Sequence, residues 1–145
     1  MGKMSNKVRT LFAVAVALAV AVGGAAAQAG ASSSSHRLLI KLDDFKLRPD
    51  DASARAGKVR IKAKNVGTAD HELVVAATNL RPGKLPTTGN GDVDEDALDV
   101  KGEVSEKRPG KAGTVTLNLR PRKYVMFCNV PGHYAAGMDG RLTVK

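Results

Sequence analysis

Between Cys128 and Met138 the chain reads CNVPGHYAAGM, which sets a thiol, an imidazole and a thioether in one short stretch at Cys-x4-His-x4-Met spacing. Joined by a second imidazole from elsewhere, these donors suit a copper ion that alternates between Cu(I) and Cu(II). His71 is a candidate for that second imidazole. Each residue also has an ordinary reading. A single Cys is most often a small buried hydrophobe, and a Met a core filler. Pro131-Gly132 is a turn signal in its own right, because Pro fixes φ and Gly accepts positive φ. Spacing sets the trio apart from those readings. It begins where an apolar run ends and passes through a turn, so the three side chains can converge, and the chain has only three His and four Met to place.

Cysteine usage adds an independent constraint. Cys128 is the only Cys, so no internal disulfide can form. An unpaired thiol in an exported protein is a liability unless something holds it. Burial would protect it, and metal ligation would protect it and account for its position.

Export is read from the N-terminus. Lys3, Lys7 and Arg9 precede an uninterrupted apolar run from Leu11 to Val22, and Ala25-Ala26-Ala27 or Ala27-Gln28-Ala29 fits small-residue cleavage. Residues 1–27 therefore read as a signal peptide. A retained anchor is the alternative, but the run is short for a span even if Gly23 to Ala27 extends it. Without an Arg-Arg pair the general secretory route is expected, and a periplasmic or other extracytoplasmic location with it. Without residues 1–27 the chain keeps twenty basic and fourteen acidic residues, a net charge of +6. Export argues against nucleic acid as the anionic partner, leaving an acidic protein as the better expectation, with a membrane only if the N-terminus is uncleaved.

The elements that must position the donors are strands. Residues 28–36, QAGASSSSH, read as a Ser-rich linker with His36 a solvated tail residue. From 37 to 145 one domain follows. Leu38, Ile40 and Leu42 alternate with Leu39 and Lys41, Phe45 and Leu47 continue the pattern, and Pro49-Asp50-Asp51 closes the unit. Lys58 to Lys64 is the clearest strand, with Val59, Ile61 and Ala63 on one face and four cations on the other. That face is a docking stripe for an acidic partner or simply a solvated sheet surface. Asn65-Val66-Gly67-Thr68 turns the chain, and His71 stands at the entrance of an apolar strand through Ala76. Leu80 to Gly113 reads mainly as an inserted loop, with short helical structure allowed from Val93 to Val100. Asp92, Asp94, Asp96 and Glu103 match four positions of a calcium loop, but Ala97 stands where that loop needs Gly, so a solvated acidic loop is expected. Thr114 to Leu119, Lys123 to Cys128 and Gly140 to Lys145 complete the strands, with Tyr124, Met126 and Cys128 on one side. Met126 is thus a packing residue. Short alternating strands divided by Gly/Pro turns predict an all-β sandwich of Greek-key type.

The Cys128–Met138 segment resembles the C-terminal metal loop of the cupredoxins, small blue-copper electron carriers, and its spacing is closer to auracyanin and rusticyanin than to plastocyanin. The resemblance implies a cupredoxin-like sandwich over 37–145 and one type 1 copper ion. Cys128, His71 and His133 would be its strong ligands and Met138 a weak axial one. It further implies an exported, monomeric protein that shuttles single electrons between redox proteins, such as a cytochrome or a copper or haem oxidoreductase. Electrons would pass near His133 through a patch of Pro131, Ala135, Ala136 and Gly137, with Tyr134 at its side. One departure stands out. Plastocyanin and azurin follow their first His with an Asn that supports the loop after Cys, whereas this chain has Glu72 there, leaving Asn65 or Asn129 as candidates for that support.

The alternative function is copper storage or delivery, which favours exposed Met or His clusters. Met1, Met4, Met126 and Met138 form none. A copper enzyme is not expected, because a further copper centre needs more histidines than the remaining His36. A thiol hydrolase lacks an oxyanion loop and a third orienting residue.

Overall fold

The computed structural model describes residues 35–145, so the signal-peptide reading and all of the Ser-rich linker except its last two residues lie outside the described residues. The nine strands are β1 (His36–Asp43), β2 (Lys46–Arg48), β3 (Asp51–Ala54), β4 (Gly57–Asn65), β5 (His71–Ala77), β6 (Asp99–Lys107), β7 (Ala112–Leu119), β8 (Arg122–Phe127) and β9 (Asp139–Val144). They form two sheets, ordered β2-β1-β4-β7 and β3-β9-β8-β5-β6. The expected all-β sandwich is present. It is mixed, since β1 runs parallel to β4 and β3 parallel to β9. One 3-10 turn, Glu95–Ala97, falls inside the segment where short helical structure was allowed.

Alternation builds the four-stranded sheet. In β4 every second residue, Val59, Ile61, Ala63 and Asn65, is buried, while the lysines and arginine between them face solvent. Ile40 and Leu42 of β1, Leu47 of β2, and Leu117 and Leu119 of β7 bury on the same side. The five-stranded sheet differs, because β5 and β8 sit in its middle and are covered on both faces. Leu73, Val75, Tyr124, Met126 and Cys128 enter the main core, whereas Val74, Ala76, Val125 and Phe127 enter a second cluster with Leu85, Val93 and Tyr134. Continuous apolar runs are what a doubly covered strand requires. Each large side chain so buried contributes roughly 1.5–3 kcal/mol.

Three expectations change. His36 opens β1 opposite Val59, so the ordered sheet starts one residue before the expected domain boundary. Asp51 begins a short strand beside β9 rather than closing a unit. The region from Leu80 to Gly113 is mainly loop but not all of it: β6 pairs with β5 along an edge where Val104 alone is buried, so its charged sequence hid a strand. The segment between β5 and β6, residues 78–98, lies over the second cluster as a strap through Leu85, Val93 and Leu98.

Candidate metal centre

The site lies where β1, β4, β5 and β8 come together at one end of the sandwich. His71 is the first residue of β5 and is fully buried. Cys128, also fully buried, follows the last residue of β8. Its amide donates to the Met138 carbonyl at 3.0 Å, and the Met138 amide donates to the His133 carbonyl at 3.1 Å. Those two bonds close the loop on itself. Gly132, at φ +81°, makes the turn that only a residue without Cβ adopts freely, and the His133 amide then donates to the Val130 carbonyl at 2.9 Å. His133 returns to the interior and is 8% exposed.

The structure brings His71, Cys128 and His133 together, with their ligand atoms all within 4.8 Å of one another. Nδ1 of His71 and Nδ1 of His133 are 3.2 Å apart, and Sγ of Cys128 is 3.5 Å from Nδ1 of His133. A small ion bound at roughly 2.0–2.3 Å to nitrogen and sulfur spans donor pairs about 3–4 Å apart, so the set fits one. Met138 is fully buried in the same core cluster as Cys128. Met126 packs in that core as expected, and His36 takes no part in the cluster. Among the described residues this is the one such group of His, Cys and acidic side chains, and the acids of 92–103 form none. Asp92 instead accepts from the Gly132 amide at 3.0 Å and braces the donor loop.

Two residues that sequence reasoning passed over complete the site. Asp44 and Phe45 form the turn between β1 and β2. Oδ1 of Asp44 stands 2.7 Å from Nε2 of His71. The carboxylate can only accept there, so His71 carries its proton on Nε2 and presents the Nδ1 lone pair to the cluster. Phe45 was expected to continue a strand. It is 42% exposed, with its ring edge against His133 at a centroid distance of 4.9 Å. Neither residue has a motif, and the turn is joined to the histidines only by the folding of β1 against β4. The one sequence signal was Asp43-Asp44 interrupting an apolar alternation.

Burial disfavours the charged forms of His133 and Cys128 in the metal-free protein. Burial, then the neighbouring His71, lowers the His133 imidazole below its usual range. Burial pushes the Cys128 thiol up, partly offset by the amides of Glu72 and Val130. The Glu72 amide stands 3.4 Å from Cys128 Sγ. Hydrogen bonds from Thr68, first its hydroxyl and then its amide, together with His71 and the Ala69 amide, hold Asp44 far below the usual carboxylate range.

Glu72 itself supports the loop after Cys128: its Oε1 accepts from the Asn129 amide at 3.1 Å. Asn129 turns away to the strap, exchanging bonds with both backbone groups of Val93 and donating to Glu95. Asn65, fully buried, ties the loop before His71 through Ala69, Gly67 and Lys107. Pro131, Gly132, Ala135, Ala136 and Gly137 are exposed around the loop. Tyr134 is not at the side of that patch. It is buried, and its hydroxyl accepts from the Leu85 amide at 2.9 Å.

Comparison with known proteins gives the same picture. The family of copper binding proteins described as plastocyanin/azurin matches residues 34–145. The copper-resistant cuproprotein CopI of Pseudomonas aeruginosa is 27% identical over 140 residues, covering 77% of each chain. Among solved structures, reduced auracyanin of Roseiflexus castenholzii has a TM-score of 0.60 at 21% identity, covering 77% of this chain and 98% of its own. The azurin Az-iso2 of Methylomonas sp. strain J has a TM-score of 0.59 at 18% identity, covering 77% and 99%.

Proposed function

This chain belongs to the plastocyanin/azurin family of copper-binding proteins, and we propose that within it the protein is an exported one-electron carrier rather than an enzyme. The family and the donor cluster together give a site for one copper ion. His71, Cys128 and His133 are assigned as its strong ligands and Met138 as the weak fourth donor. Bound there, copper supplies a one-electron couple between Cu(I) and Cu(II). The observation that carries the reading is that the donors are already assembled and backed. The loop bonds, Glu72 and Asp44 hold them from three sides, and a scaffold that holds its donors through both oxidation states has little to reorganise on electron transfer.

The surface supports a carrier. Phe45 and the small residues of the loop keep water from His133 while allowing a partner close approach. Running away from that end along the sheet, β4 turns Lys64, Lys62, Arg60 and Lys58 outward, and β1 adds Lys41 and Arg37 in parallel register. Arg37 pairs with Arg60 and Lys41 with Lys64, so the cations form two adjacent rows. A surface of this kind favours an acidic redox partner and steers encounter. Export rests on the N-terminal basic and apolar segments. Among the described residues no helix is long and apolar enough to cross a membrane.

Copper resistance, through storage or delivery, is the second reading, favoured by the likeness to CopI. Cycling the copper-loaded protein with ascorbate and a mild oxidant beside a strong Cu(I) chelator separates the two. A carrier bleaches and recovers over many cycles with its copper retained. Surrender of the copper at the first reduction would favour delivery.

A further inference from the structure

The β1–β2 turn reaches the metal-binding histidines from outside the motif. Asp44 Oδ1 is 2.7 Å from His71 Nε2, and the carboxylate is itself gripped. Its Oδ2 accepts from the Thr68 amide at 2.7 Å and the Thr68 hydroxyl at 2.6 Å, while Oδ1 also accepts from the Ala69 amide at 3.2 Å. Gly67 is required for this grip, since a Cβ there would lie 2.2 Å from Asp44 Oδ1 and 3.0 Å from its amide nitrogen. The three donors belong to the segment leading into His71, so one carboxylate joins the turn, the β4–β5 loop and the imidazole. A flexible surface acid would not be held by four hydrogen bonds.

We propose that Asp44 is a positioning residue whose carboxylate fixes the His71 tautomer with Nδ1 toward the donor cluster and whose charge biases the centre toward Cu(II). The inference rests on the copper-carrier reading for its redox part only. Ligation draws electron density from the imidazole and makes its Nε2–H more acidic, more so for the more highly charged ion. An anion at 2.7 Å from Nε2 therefore strengthens ligation in the oxidised state more than in the reduced state. A neutral acceptor in the same place would orient the ring without that bias.

Two measurements test it on the full chain. In the metal-free protein, nitrogen NMR should show that the neutral form of His71 carries its proton on Nε2. The opposite tautomer overturns the positioning claim, and this result does not depend on copper chemistry or on any variant. In the copper-loaded protein, Asp44→Asn keeps an acceptor for Nε2 but removes the charge, and Asp44→Ala removes both. Each should lower the Cu(II)-to-Cu(I) affinity ratio about tenfold or more, which for a one-electron couple raises the potential by about 59 mV per factor of ten. Only Asp44→Ala should also mix the His71 tautomers. A merely structural role predicts lowered thermal stability with less than a twofold change in the affinity ratio, and that outcome contradicts the proposal. Absence of any redox-active copper in the unmodified protein would instead defeat the carrier reading, leaving the tautomer result standing.

Discussion

At the residue scale, the centre combines donors from one loop, an imidazole from a strand entrance, and the carboxylates of Asp44 and Glu72 that hold them. Cys128, His133 and Met138 were readable because a short loop must carry its own ligands, and His71 because the chain has so few alternatives. Asp44 and Phe45 were not, because their parts depend on a contact between a turn and a strand end that no local pattern encodes. Glu72 was visible only as a departure; its role required seeing its carboxylate against the Asn129 amide. That carboxylate yields a pH prediction for the metal-free protein. Burial first, and then nearby Glu103, Glu95 and Glu106, raise the Glu72 carboxyl above its ordinary 4.5, with the Asn129 amide opposing them. The unfolded chain thus loses this proton at lower pH than the folded protein. Its stabilising contribution is full below pH 4.5 and declines as pH rises through the folded value. Glu72→Gln has no such proton, so its urea midpoint should gain on the unmodified protein between about pH 4 and pH 7. A constant difference across that window would show that Glu72 is not held against ionisation.

At the element scale, strands with one solvated face were readable and the edges were not. β4 announced itself through strict alternation, whereas β6 is nearly all polar and is a strand because β5 offers it hydrogen bonds. β3 was hidden for a similar reason, with only Ala52 and Ala54 turned inward. Leu80 to Gly113 was read mainly as an inserted, solvated loop; its part before β6 covers the second apolar cluster and braces the donor loop through Asn129 and Asp92. The β4–β5 loop depends on Asn65 in the same way. Removing its buried side chain takes a donor from the Ala69 and Lys107 carbonyls and leaves the Gly67 amide only the Leu42 carbonyl at 3.2 Å. Asn65→Ala should cost about 2–3 kcal/mol in denaturant unfolding. It should also speed amide exchange between Val66 and Asp70. A loss below about 0.5 kcal/mol would mean that the loop is held by its other contacts.

At the scale of the whole molecule, the sandwich separates its tasks. Two covered strands carry His71 and Cys128 to one end, and a neighbouring solvated sheet face carries the cations. The fold class was legible because strand length, alternation and turn chemistry agree, while the mixed topology was not, since nothing local distinguishes a parallel neighbour from an antiparallel one. Charge steering acts at this scale. Oxidation of the reduced protein by a small anionic complex should be faster than by a cationic one of equal driving force, and should slow as salt rises from about 10 mM to 150 mM. Arg60→Glu with Lys62→Glu should shrink that difference several-fold with little change in stability, because both side chains are exposed. A rate indifferent to salt and to the reversal would detach the basic face from electron delivery. The most direct test of the account is a Cu(II) titration of the protein followed by visible absorption and EPR, beside Cys128→Ser. An intense thiolate-to-copper band that saturates at one equivalent, bleaches with ascorbate, returns with oxidant and is missing in the variant is the predicted result. A colourless, weakly held copper with an ordinary tetragonal EPR spectrum, unchanged by Cys128→Ser, would contradict it.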